Sequence, residues 1–178
     1  MRKSTSFPRI AVLAALAALA LTVPATAQAG GGLSTGTTAT VPGSKAKLVG
    51  GRAVAPADAP KQVQKVIKAA NRIRNKPYKW GGGHGDWKDK GYDCSGAVSY
   101  ALHGGKLLDT PLDSNGLARY GTKGKGQWIS VYGNPSHAYM IVAGLRFDTS
   151  QTPGNGPGWS KSMRSTPGKF KVRHPRGL

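Results

Sequence analysis

Residues 91–105 read GYDCSGAVSYALHGG and hold the only cysteine among 178 residues. Asp93 stands where a helix N-cap belongs, Ala97, Val98, Ala101 and Leu102 recur at helical spacing, and Gly104-Gly105 close the run. Cys94 is thereby set at the first helical position, on the side of Ala97 and Ala101. The free amides and partial positive charge of a helix N-terminus stabilise a thiolate, and the same amides can hold an oxyanion as a carbonyl is attacked. An ionised Asp93 opposes the thiolate, so its side chain is expected to be occupied in capping. Upstream, residues 78–96 read YKWGGGHGDWKDKGYDCSG, and Gly81 to Gly83 mark a sharply folded loop leading into the cysteine. This loop is no phosphate cradle, because no Gly-Lys-Ser/Thr follows it.

The N-terminus bears on what the thiol is for. Arg2, Lys3 and Arg9 form a basic head, Ile10 to Val23 an apolar stretch, and Ala27-Gln28-Ala29 a small-x-small cleavage site. Residues 1–29 read as a secretory signal peptide, the apolar run of about 14 residues being short of the roughly 20 that span a bilayer. The expected product is secreted and associated with the cell wall, with no membrane contact after cleavage. One cysteine in an exported chain forms no internal disulfide; it pairs with another molecule, serves chemistry, or is buried as a small apolar residue.

The formal charge is +19, and all 7 acidic residues are aspartates: Asp58, Asp86, Asp89, Asp93, Asp109, Asp113 and Asp148. Without glutamate or a local aspartate pair, a two-carboxylate glycosidase is disfavoured. The charge suits an anionic partner, of which a wall polymer is the one expected and nucleic acid is not; solubility alone accounts for it equally well. Residues 30–56, rich in Gly, Thr, Ser and Ala without an apolar period, read as a flexible linker. Residues 57–178 read as one domain, a monomer. It opens on a helix that Asp58 can cap, with Pro60 in the first turn, Val63, Val66, Ile67, Ala70 and Ile73 as the buried stripe, and Pro77 as the stop.

A nucleophilic thiol requires a base, and there are four histidines. His103 ends the cysteine's own helix, where a cation suits the dipole, and His174 lies in a basic tail. His84, in the glycine loop, is a weak candidate. His137 opens HAYMIVAGLRFDTS, residues 137–150, which reads as two strands joined at Ala143-Gly144. In that register Val142 faces Leu145 and Met140 faces Phe147, so Ala138, Met140, Val142, Leu145 and Phe147 make an apolar face. His137, Tyr139, Ile141, Arg146 and Asp148 fall on the other side, with Asp148 within reach of the imidazole. A surface histidine and aspartate on a hairpin is the plain alternative. The tail, 151–178, carries 6 basic residues and no acid; GKFKVRH within it reads as a closing strand.

PYKWGG, then YDCSG opening a helix, then a strand histidine about 43 residues later resembles the NlpC-type family of bacterial cell-wall cysteine peptidases over roughly residues 60–150. The resemblance implies a papain-like α+β fold, in which N-terminal helices, one bearing the cysteine, pack on a small antiparallel β-sheet. It implies Cys94 as nucleophile, His137 as general base and Asp148 as the residue orienting the imidazole. Tyr78 matches the family's substrate-lining tyrosine, with Trp80 and Ser95 beside it as substrate-binding candidates. The implied activity is thiol-dependent hydrolysis of peptidoglycan stem peptides, between D-glutamate and a diamino acid, with no metal and no cofactor. Two departures are visible. The family's orienting residue is usually a histidine or an amide, and its Pro-Gly-Asp turn before the histidine is replaced here by GKGQWISVYGNPS. No HExxH or other metal-ligand spacing supports a zinc peptidase. A non-catalytic basic wall-binding protein, and an amidase or acyltransferase on the same nucleophile, remain as alternatives.

Overall fold

The computed structural model describes residues 39–150 and 156–178, which lie within one compact unit, Thr37–Leu178. The expected signal peptide lies outside the described residues. Three short strands come first: β1 (Thr40–Val41), β2 (Lys47–Val49) and β3 (Arg52–Pro56), in the order β1-β3-β2. Helices α1 (Lys61–Ile73), α2 (Cys94–Gly104) and α3 (Ser114–Leu117) follow. Strands β4 (Thr122–Lys123), β5 (Ile129–Asn134), β6 (His137–Val142), β7 (Leu145–Asp148), β8 (Gly158–Ser160) and β9 (Lys171–His174) form an antiparallel sheet ordered β4-β9-β5-β6-β7-β8. This is the expected α+β architecture. Among the described residues no helix is long and apolar enough to cross a membrane.

Helix α1 buries Val63, Val66, Ile67, Ala69, Ala70 and Ile73 and leaves Lys61, Lys65, Lys68 and Arg72 exposed. Its N-cap is Pro60 and no side chain caps it. Asp58, expected as the cap, lies two residues too early, and its amide instead donates to the Gly43 carbonyl at 3.4 Å. α1 packs on α2, and α2 packs on β6 and β7. Ala138, Met140, Val142, Leu145 and Phe147 are all buried in the core, so the apolar hairpin face is where the helices settle.

The hairpin register is Met140 with Phe147, Ile141 with Arg146 and Val142 with Leu145. Ala143 (φ 46°) and Gly144 (φ 86°) both take positive φ, as the tight two-residue connection of twisted strands demands. The opposite face is not a solvent face: Tyr139, Arg146 and Asp148 on it are all buried.

The linker expectation fails over residues 40–56, which form β1 to β3. Gly50 (φ 53°) and Gly51 (φ 73°) make a two-residue hairpin turn between Val49 and Arg52, rather than a tether. Ala53 and Ala55 are buried in the main core. Asn71 of α1 acts as an extra strand neighbour for Ala53, its Nδ2 donating to the Ala53 carbonyl (2.7 Å) and its Oδ1 accepting the Ala53 amide (3.0 Å). The indole of Trp159 donates to the same Oδ1 at 3.0 Å. The domain therefore includes these strands and does not begin at residue 57.

Candidate active site

The first turn of α2 is assembled around Asp93. Its Oδ1 accepts the Gly96 amide (2.7 Å) and the Ser95 hydroxyl (3.1 Å), Oδ2 accepts the Gly81 amide (3.1 Å), and His84 Nε2 lies 3.0 Å from Oδ1. The aspartate is thus occupied in capping, as the neighbouring thiol requires. The glycine loop reaches this turn because Gly96 has no side chain: a Cβ there would lie 2.0 Å from the Gly82 carbonyl oxygen. Cys94, half-buried, opens the helix, and the amides of Cys94 and Ser95 have no intrahelical acceptor. Free amides at a helix start are donors of the kind that can hold an oxyanion.

His137 is delivered from the sheet. Asn134 Oδ1 accepts the amides of Ser136 (3.0 Å) and His137 (2.8 Å), closing the turn between β5 and β6 in the segment that departs from the family's Pro-Gly-Asp. The imidazole Nε2 lies 2.9 Å from Asp148 Oδ1, so Nδ1 is the nitrogen left for Cys94. Asp148 has no side-chain exposure and accepts Arg164 Nε at 2.9 Å through Oδ2; Arg146 Nε stands 3.8 Å from the same oxygen. Arg164 Nη2 also donates to Ser150 Oγ (2.9 Å) and stands 2.8 Å from His137 Nε2, while its guanidinium lies 5.3 Å over Tyr139 and 5.8 Å over Phe170.

The electrostatics follow from these contacts. Burial disfavours the Cys94 thiolate, but the hydrogen bond from His137, the Ala138 amide and the imidazolium charge outweigh it, so the thiol lies below its ordinary value. Burial likewise opposes the His137 imidazolium; hydrogen bonds to Asp148 and Cys94 overcome it and push His137 up to about 9. Burial would raise the Asp148 carboxyl, yet His137 and Arg164 hold it well below the usual carboxylate range. Thiolate and imidazolium each favour the charged state of the other.

The structure brings Cys94, His137 and Asp148 together. Tyr78 lies near them, 39% exposed, its hydroxyl raised by burial and then by the charges of Cys94 and Asp93. Trp80 is 87% exposed and makes no ring contact among the described residues. Ser95 does not fit a substrate-binding side chain: it is buried, its hydroxyl spent on Asp93 and 3.2 Å from His84 Nε2. His84 belongs to this cap, and His103 stacks on Trp87 with ring centroids 4.0 Å apart. Sequence reading missed Arg164, which lay in the basic tail with nothing local to mark it. Among the described residues no group of three His, Cys or Asp side chains is placed to hold a metal ion.

No family model matches the sequence, and no curated relative is found. Solved structures do match. The P60 domain of M. avium subspecies paratuberculosis antigen MAP1204 aligns at a TM-score of 0.51 and 22% identity, over 65% of this chain and 96% of that one. An NlpC/P60 family protein from Bacillus cereus aligns at 0.50 and 16% identity over 64% of this chain, which spans 40% of that protein's length. The fold is that of NlpC/P60 domains.

Proposed function

We propose that this chain, with its NlpC/P60-type fold, is a secreted cysteine peptidase that hydrolyses peptidoglycan stem peptides, at the bond between D-glutamate and a diamino acid. The observation that carries the reading is the relay of half-buried Cys94 and His137 onto buried Asp148, with the thiol at a helix N-terminus and lowered by its partners. His137 Nδ1 takes the thiol proton and Cys94 Sγ attacks the amide carbonyl carbon. The oxyanion sits on the amides of Cys94 and Ser95, and the imidazolium returns the proton to the leaving amine nitrogen. His137 then deprotonates a water that attacks the thioester, releasing the carboxylate and restoring the thiol. Asp148 holds the imidazole with Nδ1 toward sulfur throughout.

The test is mass spectrometry of purified stem peptides incubated with residues 30–178, beside Cys94→Ala. New fragments from the wild type alone support the peptidase and identify the bond. No fragments from several wall types would overturn it in favour of a basic wall-binding protein. That second reading has its own observation: an open groove of about 570 Å³ lined by Arg119, Lys123, Lys171 and Arg173 around Phe170, suited to an anionic wall polymer. An acyltransferase or amidase would announce itself in the products.

A further inference from the structure

The contacts around His137 Nε2 contain a conflict. Asp148 Oδ1 lies at 2.9 Å and Arg164 Nη2 at 2.8 Å from the same nitrogen. A carboxylate only accepts and a guanidinium only donates, so Nε2 cannot serve both. With a proton on Nε2, the ring donates to Asp148, and Arg164 Nη2 is left with Ser150 Oγ as its acceptor. Without it, Nη2 can donate to the bare nitrogen, but the neutral ring then carries its proton on Nδ1 and is no base for Cys94, so the working relay keeps Nε2 protonated and meets Arg164 as an adjacent cation. We propose that Arg164 is a positioning residue for the proposed thiol chemistry: it fixes Asp148 through Oδ2 and, as a cation held against the Nε2 side of the ring, lowers the proton affinity of His137. The inference rests on the peptidase reading for its purpose and on the geometry alone for its test.

Arg164 is held rigidly enough for this. Its Nε bonds Asp148 Oδ2 at 2.9 Å and Nη2 bonds Ser150 Oγ at 2.9 Å, while the rings of Tyr139 and Phe170 form a shelf beneath the guanidinium. Tyr139 and Phe170 meet edge to face, with centroids 5.0 Å apart, which keeps the shelf in place. The charged and titratable groups around the imidazole are Cys94 from α2, Asp148 and Arg146 from β7, Tyr139 from β6 and Arg164 from the segment after β8. Asp93 and Tyr78 act one step further off, through Cys94. Asp148 and the Cys94 thiolate hold a proton on the ring. Arg164 opposes them, being the cation nearest to Nε2, and keeps the imidazolium acidic enough to release its proton to a leaving amine.

The experiment is the titration of the His137 ring by NMR, in the full chain, with Cys94 alkylation followed against pH in parallel; neither readout needs turnover. Neutral Arg164→Gln is expected to raise the His137 midpoint by about one pH unit, since a cation beside the ring is lost. Arg164→Lys keeps the cation and is expected to leave the midpoint near the wild type. Turnover nevertheless falls about tenfold or more, because a compact ammonium on a flexible stem does not reproduce the fixed fork by which Nε and Nη2 span Asp148 Oδ2 and Ser150 Oγ. If Arg164→Gln does not fold, Arg164→Met keeps the stem on the aromatic shelf and gives the same neutral comparison. An unchanged or lowered midpoint in a folded neutral variant overturns the proposal. If stem peptides are never cleaved but the midpoint rises, the peptidase reading fails and the assignment of Arg164 stands.

Discussion

At Cys94 the structure makes the thiol's acidity depend on one partner. Without the imidazole the contacts left to act are burial, which raises the thiol, the Ala138 amide, which lowers it, and Asp93, which raises it. His137→Ala is therefore expected to move the alkylation midpoint of Cys94 upward past about 8.5, and to abolish turnover together with Cys94→Ala. A His137→Ala thiol that still alkylates at the wild-type rate near neutral pH would break the pairing. The imidazolium, held up to about 9, is lost as pH rises through that value. Activity should form a plateau between the lowered thiol value and a limb near pH 9, measured as kcat/KM against pH, which reports the groups of the free enzyme. Asp148 is different in kind, since Arg146 and Arg164 both depend on it for charge compensation. Asp148→Ala is expected to leave a fraction of turnover and to lower stability by about 3 kcal/mol in urea unfolding, because it leaves buried Arg146 and part-buried Arg164 without their carboxylate.

Among the elements, the early hairpin carries the clearest consequence. Asn71 makes three hydrogen bonds that join β3, α1 and Trp159, so Asn71→Ala should cost about 2–4 kcal/mol, read by urea denaturation. Deleting residues 30–56 exposes the helix face that Ala53 and Ala55 cover and should lower Tm by several degrees, on the order of 4–8 °C. A flexible tether would come off without any change in Tm. These strands escaped the sequence reading because their buried residues are small alanines and their turn is glycine-rich. KLV-Gly-Gly-RAV still carries a hairpin signal, two strand-forming runs separated by two glycines, which composition averaging erased.

For the whole molecule, charge and fold stability respond to different conditions. A formal +19 acting on an anionic polymer is a screened interaction. Binding of Cys94→Ala to walls should collapse by about 0.5 M salt, where the Debye length is under about 5 Å, whereas wild-type hydrolysis of small stem peptides should change little. Acid acts through Asp148. Its folded carboxyl lies well below the unfolded value of about 4, so its stabilising contribution is complete above that value and shrinks as pH falls further. Unfolding free energy should decline from about pH 4 downward, and Asp148→Asn should flatten that decline.

By itself the sequence determined the elements that carry their own periodicity and punctuation. The capped helix at Cys94, the apolar stripe of α1 and the register of the β6–β7 hairpin are local patterns, and the structure has each of them. Asp148 was legible beside His137 because two strands joined by a two-residue turn have only one way to align. The inward turn of Ser95 and the burial of Ala53 and Ala55 in the main core were not legible, because each depends on neighbours distant in the chain. Arg164 is the sharpest case. Its sequence context is a basic tail, and only the closing of the sheet and the aromatic shelf of Tyr139 and Phe170 bring its guanidinium onto a carboxylate 16 positions earlier. Local patterns fix backbone conformation over a turn or two, whereas the placing of a charge on its buried partner is decided by packing between segments that no local rule connects.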